Sequence, residues 1–191
     1  MWKGKNVTVF VTGGIAAFKA ATLVRLFVKA GANVEVAMTK SACEFITPLT
    51  FQVLTKNKVH IDTFDEDEAN KVQHIHLADQ TDVAIVVPAT ANTIAKMANG
   101  IADNFVTSTL LATTAPIYVV PAMNEHMWEN PATVRNVKQL VEDGKSVIEP
   151  ATGFLAEGYD GKGRLPEPEE IFEQVTFFES RREYKIGRAH V

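Results

Sequence analysis

The 191-residue chain is 46% hydrophobic with a formal net charge of −4, a composition that suits one ordinary globular domain with a sizeable core. A pI of about 5.7 gives no basic footprint for nucleic acid, and no stretch approaches the ~20 consecutive apolar residues that a membrane span needs. The one cysteine, Cys43, excludes an internal disulfide and fits a reducing compartment. Residues 1–6 lead directly into a strand and leave no room for a signal peptide, so the expected location is the cytoplasm.

Residues 7–11 (VTVFV) read as a buried first strand, and Thr12-Gly13-Gly14 as a turn into a helix. That helix has Ala17, Ala20, Ala21, Val24, Leu26, Phe27 and Val28 as its apolar positions, Arg25 and Lys29 outward, and Gly31 as its stop. Residues 34–38 form the second strand, and a βαβ unit of this length implies a parallel sheet with a right-handed crossover. The turn TGGIAAF lacks the G-x-G-x-x-G spacing, and the second strand runs into Thr39-Lys40-Ser41 without a carboxylate to hold an adenosine ribose. NAD is therefore disfavoured. A mononucleotide phosphate fits better, held by backbone N–H groups over Gly13, Gly14, Ile15 and Ala16 and by the hydroxyls of Thr39 and Ser41. Those two hydroxyls read equally well as caps of the next short helix, and both readings can hold at once.

Cys43, one turn into that helix, reads as a small hydrophobe. Pro48 breaks the helix, and an amphipathic segment follows over residues 49–54. Residues 62–73, with Asp65, Glu66, Asp67 and Glu68 in a row, are expected to be a solvated surface loop that reaches a neighbour or moves, not a metal site. His74 and His76 follow with no third ligand at metal-site spacing; the residues alone leave them as solvated side chains.

Residues 83–87 (VAIVV) are a strand buried on both faces, ended by Pro88. Thr90 or Asn92 caps the helix that carries Ile94, Ala95, Met97 and Ala98. Small polar side chains at the carboxyl end of a buried strand are where open α/β sheets bind ligands, although composition alone fits a plain, well-capped corner. A helix follows over 104–113, then a strand over 117–120 ending at Pro121, so two strands deliver polar segments to one crevice. An amphipathic helix over 132–142 stops at Gly144, and 146–149 is the last strand. Residues 151–165, rich in glycine, are either a connection or a flap over a site. A closing helix over 167–178 completes a domain of residues 1–178, with 179–191 a frayed tail whose end reads as an expression remnant.

Three segments carry a resemblance. Residues 88–93, PATANT, resemble the PASANT motif of the homo-oligomeric flavin-containing cysteine decarboxylases, with Thr90 in place of Ser. Residues 121–128, PAMNEHMW, resemble that family's PxMNxxMW. Residues 155–164, LAEGYDGKGR, resemble the L-A-C-G-x-x-G-x-G-R loop of its phosphopantothenoylcysteine decarboxylases, with Glu157 where the cysteine stands. The resemblance covers about residues 4 to 178. It implies an α/β fold, a flavodoxin-like or Rossmann-like three-layer sandwich with a parallel sheet, that binds FMN and assembles as a homotrimer or a dodecamer of trimers. The implied reaction is decarboxylation of 4′-phosphopantothenoylcysteine to 4′-phosphopantetheine in coenzyme A biosynthesis, with a synthetase often fused after this domain.

The same resemblance implies site residues. His74, in His74-Ile75-His76-Leu77, stands where the family has its catalytic histidine, a base for the substrate thiol; Asn124 would donate its amide to the substrate carboxylate; Glu157 stands at the position of the proton donor. Cofactor contacts are expected at Gly13, Gly14, Ile15, Ala16, Thr39, Ser41, Pro88, Ala89, Thr90, Asn92, Thr93, Thr107 and Ser108, and substrate contacts at Asn92, Asn124, Met127 and Arg164. The plainer readings are a helix cap for Asn124, core for Met127 and Trp128, a solvated loop residue for Arg164 and an exposed His76. Two other functions stay open: a lantibiotic-type peptidyl-cysteine decarboxylase, whose members lack the loop cysteine, and a non-catalytic FMN-binding regulator. Retention of His74 and Asn124 argues against the regulator; the GKGR-containing loop and TGGIAAFKA opening favour the coenzyme A route.

Overall fold

Period-two alternation builds the sheet. The computed structural model describes residues 1–64, 69 and 71–189. Five parallel strands, β1 (Asn6–Val11), β2 (Asn33–Met38), β3 (Val83–Ala89), β4 (Ile117–Pro121) and β5 (Ser146–Val147), lie in the order β2-β1-β3-β4-β5. Val7, Val9 and Val11 of β1 and Val83, Ile85 and Val87 of β3 point to one face; Phe10, Ala84 and Val86 point to the other. The first face is covered by α1 (Ala17–Lys29), α2 (Pro48–Thr55) and α8 (Pro168–Ala189) through Leu23, Phe27, Phe51, Ile171 and Val175. The second is covered by α3 (Gln73–Gln80), α4 (Ala91–Asn99), α5 (Phe105–Ala112) and α7 (Pro131–Glu142) through Leu77, Ile94, Phe105, Leu110 and Leu140. This is the expected three-layer, flavodoxin-like arrangement. Its strand order reverses between β1 and β3, which opens a crevice at their carboxyl ends.

Four local expectations are corrected. Pro88 does not end β3 but lies within it, after a cis Val87–Pro88 bond. β5 covers only Ser146–Val147 of the expected 146–149. Cys43 sits in a short 3-10 turn, Ala42–Glu44. The glycine-rich 151–165 is an antiparallel hairpin of β6 (Ala151–Phe154) and β7 (Asp160–Arg164). The acidic run at 65–68 lies outside the described residues.

The frayed tail is also corrected: α8 continues as one helix to Ala189. Apolar periodicity missed it because the residue that holds its second half is a carboxylate. Glu179 is 4% exposed, accepts a 2.6 Å hydrogen bond from the Tyr118 hydroxyl and lies 3.8 Å from Arg182. Burial and the Glu179 carboxylate push the Tyr118 phenol up, so it stays a donor. At the other end of the chain, buried Trp2 donates Nε1–H to Thr176 Oγ1 and packs edge-on against Phe27. Tyr118→Phe should therefore lower stability by about 1–3 kcal/mol, the cost of leaving a buried acceptor short of its donor. An unchanged thermal midpoint would show that this contact contributes nothing.

Candidate active site

The crevice is tied together by Thr12, the fully buried residue that follows β1. Its hydroxyl donates to the Pro88 carbonyl at 2.5 Å and accepts from the Thr90 N–H at 3.0 Å. One side chain thus fixes the loop after β1 against the loop after β3. Thr90 in turn caps α4 by accepting from the Thr93 N–H at 3.2 Å. Gly13 is required by close approach, because a Cβ there would lie 2.5 Å from Ser41 Cβ. The next turn is capped by Thr39, whose Oγ1 accepts from the Ala42 N–H at 3.1 Å.

Two cavities meet at Gly13, Thr90 and Asn92. One, of about 590 Å³, is the more polar and also has Thr39, Ser41, Thr93, Lys96 and Phe105 in its wall. The other, of about 630 Å³, runs between Gly14–Lys19, the segment after β4 and the hairpin. The hairpin is anchored at its base. Met123 N–H donates to the Gly163 carbonyl at 2.9 Å, and Lys162 N–H to Glu125 Oε1 at 3.3 Å. Gly163 has φ 152°, and a Cβ there would lie 2.0 Å from the Met123 carbonyl oxygen, so only glycine fits.

Asn124 is both a helix cap and a cavity wall. It caps α6 (Glu125–Glu129), its Oδ1 accepting from the N–H groups of His126 and Met127. Its Nδ2 faces the hairpin and donates to Glu157 Oε1 and to Tyr159 Oη, each at 2.9 Å. Glu157 is exposed. Lys19 and Arg164, the cations of this wall, each lie 3.3 Å from Glu167 Oε1.

Most of the expected residues converge here. Gly13, Gly14, Ile15, Ala16, Thr90, Asn92, Asn124, Met127, Glu157 and Arg164 line the larger cavity, and Thr39, Ser41 and Thr93 the other. Pro88 and Ala89 are buried in β3 behind the wall and support it. Thr107 and Ser108 do not line either cavity. Thr107 completes the capping box of α5 with Asn104, and Ser108 Oγ donates to the Ala102 carbonyl, so both hydroxyls bond at the helix start. His74 is on α3 and lines neither cavity. Its ring meets Phe105 edge-on at 6.3 Å, and its buried Nδ1 has no hydrogen-bond partner among the described residues. His76 is exposed. Cys43 lines neither cavity, and burial, then the Glu44 charge, push its thiol up. Sequence reasoning missed Thr12 as the staple, legible only as the polar residue closing an apolar strand, and Tyr159, for which no local signal exists.

The arrangement has the chemistry of a flavin mononucleotide site. Backbone groups at the start of α1 and the Thr39–Ser41 turn are the donor chemistry that suits a phosphate, and Asn124 places a neutral amide in the wall of the larger cavity. Comparison with known proteins agrees. The Flavoprotein family model matches residues 1–178. The chain is 54% identical over 171 residues to the coenzyme A biosynthesis bifunctional protein CoaBC of Bacillus subtilis, covering 90% of this chain but 42% of that protein. It therefore spans less than half the length of that bifunctional relative. It is 43% identical over 173 residues to the probable phosphopantothenoylcysteine decarboxylase of Streptococcus mutans, covering 90% of this chain and 97% of that one. A solved PPC decarboxylase mutant complexed with pantothenoylaminoethenethiol superimposes with a TM-score of 0.83 at 32% identity, covering 93% of this chain and 100% of the other. With that match spanning both strand-end motifs and the hairpin, the chain belongs to the Flavoprotein family.

Proposed function

We propose that this chain decarboxylates 4′-phosphopantothenoylcysteine to 4′-phosphopantetheine with FMN, a step of coenzyme A biosynthesis. The observation that carries the reading is Asn124, held by the α6 cap in the wall of the cavity shared with Gly13–Ala16, its amide nitrogen on Glu157 and Tyr159 of the hairpin. FMN supplies the two-electron chemistry that lets a carboxylate beside a thiol leave as carbon dioxide. The chain's own residues bind and orient. Gly13, Gly14, Ile15 and Ala16, with Thr39 and Ser41, hold the phosphate end; Thr90, Asn92 and Thr93, backed by Pro88 and Ala89, hold the ring side. Asn124 takes the substrate carboxylate through neutral donors, which hold it without the over-stabilisation a full charge would bring. Met127 and Arg164 complete the substrate wall.

His74 is assigned as the base that accepts the thiol proton, a task imidazole suits at neutral pH. Within one chain it does not share a cavity with Asn124, so on this reading it acts across a boundary between copies in a homotrimer or a dodecamer of trimers. Exposed Ile15, Phe18, Leu49 and Val53 supply apolar surface for such contacts. A cytoplasmic location and a synthetase joined to this domain or acting beside it belong to the same reading. No helix among the described residues is long and apolar enough to cross a membrane. The assignment of cofactor is tested by heat release and chromatography of the pigment: about one FMN per chain is expected, from the phosphate donors and the lack of a ribose-binding carboxylate. Recovery of FAD or NAD, or a colourless protein that ignores added FMN, would contradict it.

A further inference from the structure

The Asn124 amide is fully committed. Its Oδ1 accepts from His126 N–H at 2.8 Å and Met127 N–H at 3.4 Å, which sets the amide plane. An amide nitrogen has two hydrogens, and both are taken, one by Glu157 Oε1 and one by Tyr159 Oη. The group seated on Asn124 is thus a carboxylate, the chemistry that the proposed substrate must place there. We propose that Glu157 is a specificity-determining residue that fills the carboxylate subsite from within the chain. A cysteine-ended acid has to displace it, whereas a ligand lacking that carboxylate does not. The inference rests on the assignment of Asn124 to the substrate carboxylate.

The local structure makes the exchange feasible and asymmetric. The base of the hairpin is held by the Met123–Gly163 and Lys162–Glu125 bonds, while Glu157 sits at the exposed tip. Moving its side chain breaks one charge-assisted hydrogen bond and disturbs no core packing. Once displaced it remains a negative charge at the mouth of the cavity and opposes a second one. Lys19 and Arg164 share the single carboxylate of Glu167, which leaves the wall one net positive charge, and Glu157 and a substrate carboxylate compete for it. Tyr159 is neutral and can keep its place on the second N–H while a substrate takes the first.

The test uses the FMN-loaded chain and two inert ligands, phosphopantothenoylserine and its carboxylate-free counterpart, phosphopantothenoylethanolamine, titrated by calorimetry. Lacking the thiol, neither can react. Glu157→Ala should tighten the acid about tenfold, the usual worth of a hydrogen bond to a charged group, and leave the carboxylate-free ligand within about twofold. Tyr159→Phe, which loosens the same tip but removes no charge, should not tighten the acid. If both ligands bind and Glu157→Ala leaves their ratio unchanged, or Tyr159→Phe shifts it equally, Glu157 does not occupy the subsite. If neither ligand binds wild type or Glu157→Ala, the assignment of the cavity to this substrate class fails, and the inference with it.

Discussion

Exchanging Glu157 for cysteine should turn a chain that stops after losing carbon dioxide into one that turns over repeatedly. The reaction needs a proton returned to the substrate after decarboxylation, and the family resemblance puts a cysteine at this position. Here the position holds a carboxyl group that is exposed and already accepts from the Asn124 amide. A carboxylate in that role is an acceptor with no proton to give. The only thiol of the chain, Cys43, lies off the cavity in the 3-10 turn. Added anaerobically, substrate should bleach the yellow protein and leave it bleached, with the decarboxylated ene-thiol as main product. Glu157→Cys should restore the colour and raise phosphopantetheine formation by about 10²-fold or more, the usual contribution of a placed acid. Glu157→Ala separates the two roles of this side chain: tighter binding of the acid, still a single turnover. Repeated anaerobic turnover by the unaltered chain would show that Glu157, or another hairpin group, is itself a competent acid.

Two single substitutions should each cut activity severely, and co-expressed chains that carry one each should recover part of it. His74→Asn removes the assigned base and should cost about 10²–10⁴ in rate without loss of FMN, while His76→Asn, at an exposed position, should retain most activity. Asn124→Asp keeps the α6 cap but sets a like charge against the substrate carboxylate. Because His74 meets Phe105 and not the cavity of Asn124, co-expressed His74→Asn and Asn124→Asp chains should form mixed assemblies in which some sites have both intact residues. Activity in the co-expressed sample, absent from a mixture of separately purified variants, is the expected result. Wild-type rate in His74→Asn would remove the base assignment; an inactive co-expressed sample would remove the shared site.

The fold was legible because its central strands are short, β-branched and largely apolar, and because Thr90 and Asn104 cap their helices with side chains that suit that position. The crevice was legible for the same reason: Gly13 lies just past one buried strand, and PATANT runs off the end of another. The hairpin was not, since its glycine-rich strands carry few apolar side chains to mark a pattern, and its anchor, one backbone bond from Met123 to Gly163, is a long-range contact with no local trace. α8 was cut short because Glu179 does the work of an apolar residue through Tyr118. Thr107 and Ser108 show a bond pattern that the sequence reading left out: their hydroxyls also tie down the start of α5.

Mass spectrometry of the products tests the central claim most directly. The FMN-loaded protein is incubated under anaerobic conditions with phosphopantothenoylcysteine and, separately, with a peptide ending in cysteine. The phosphorylated acid should lose carbon dioxide and the peptide should be recovered unchanged. Decarboxylation of the peptide with the phosphorylated acid untouched, or no reaction with either, would contradict the account.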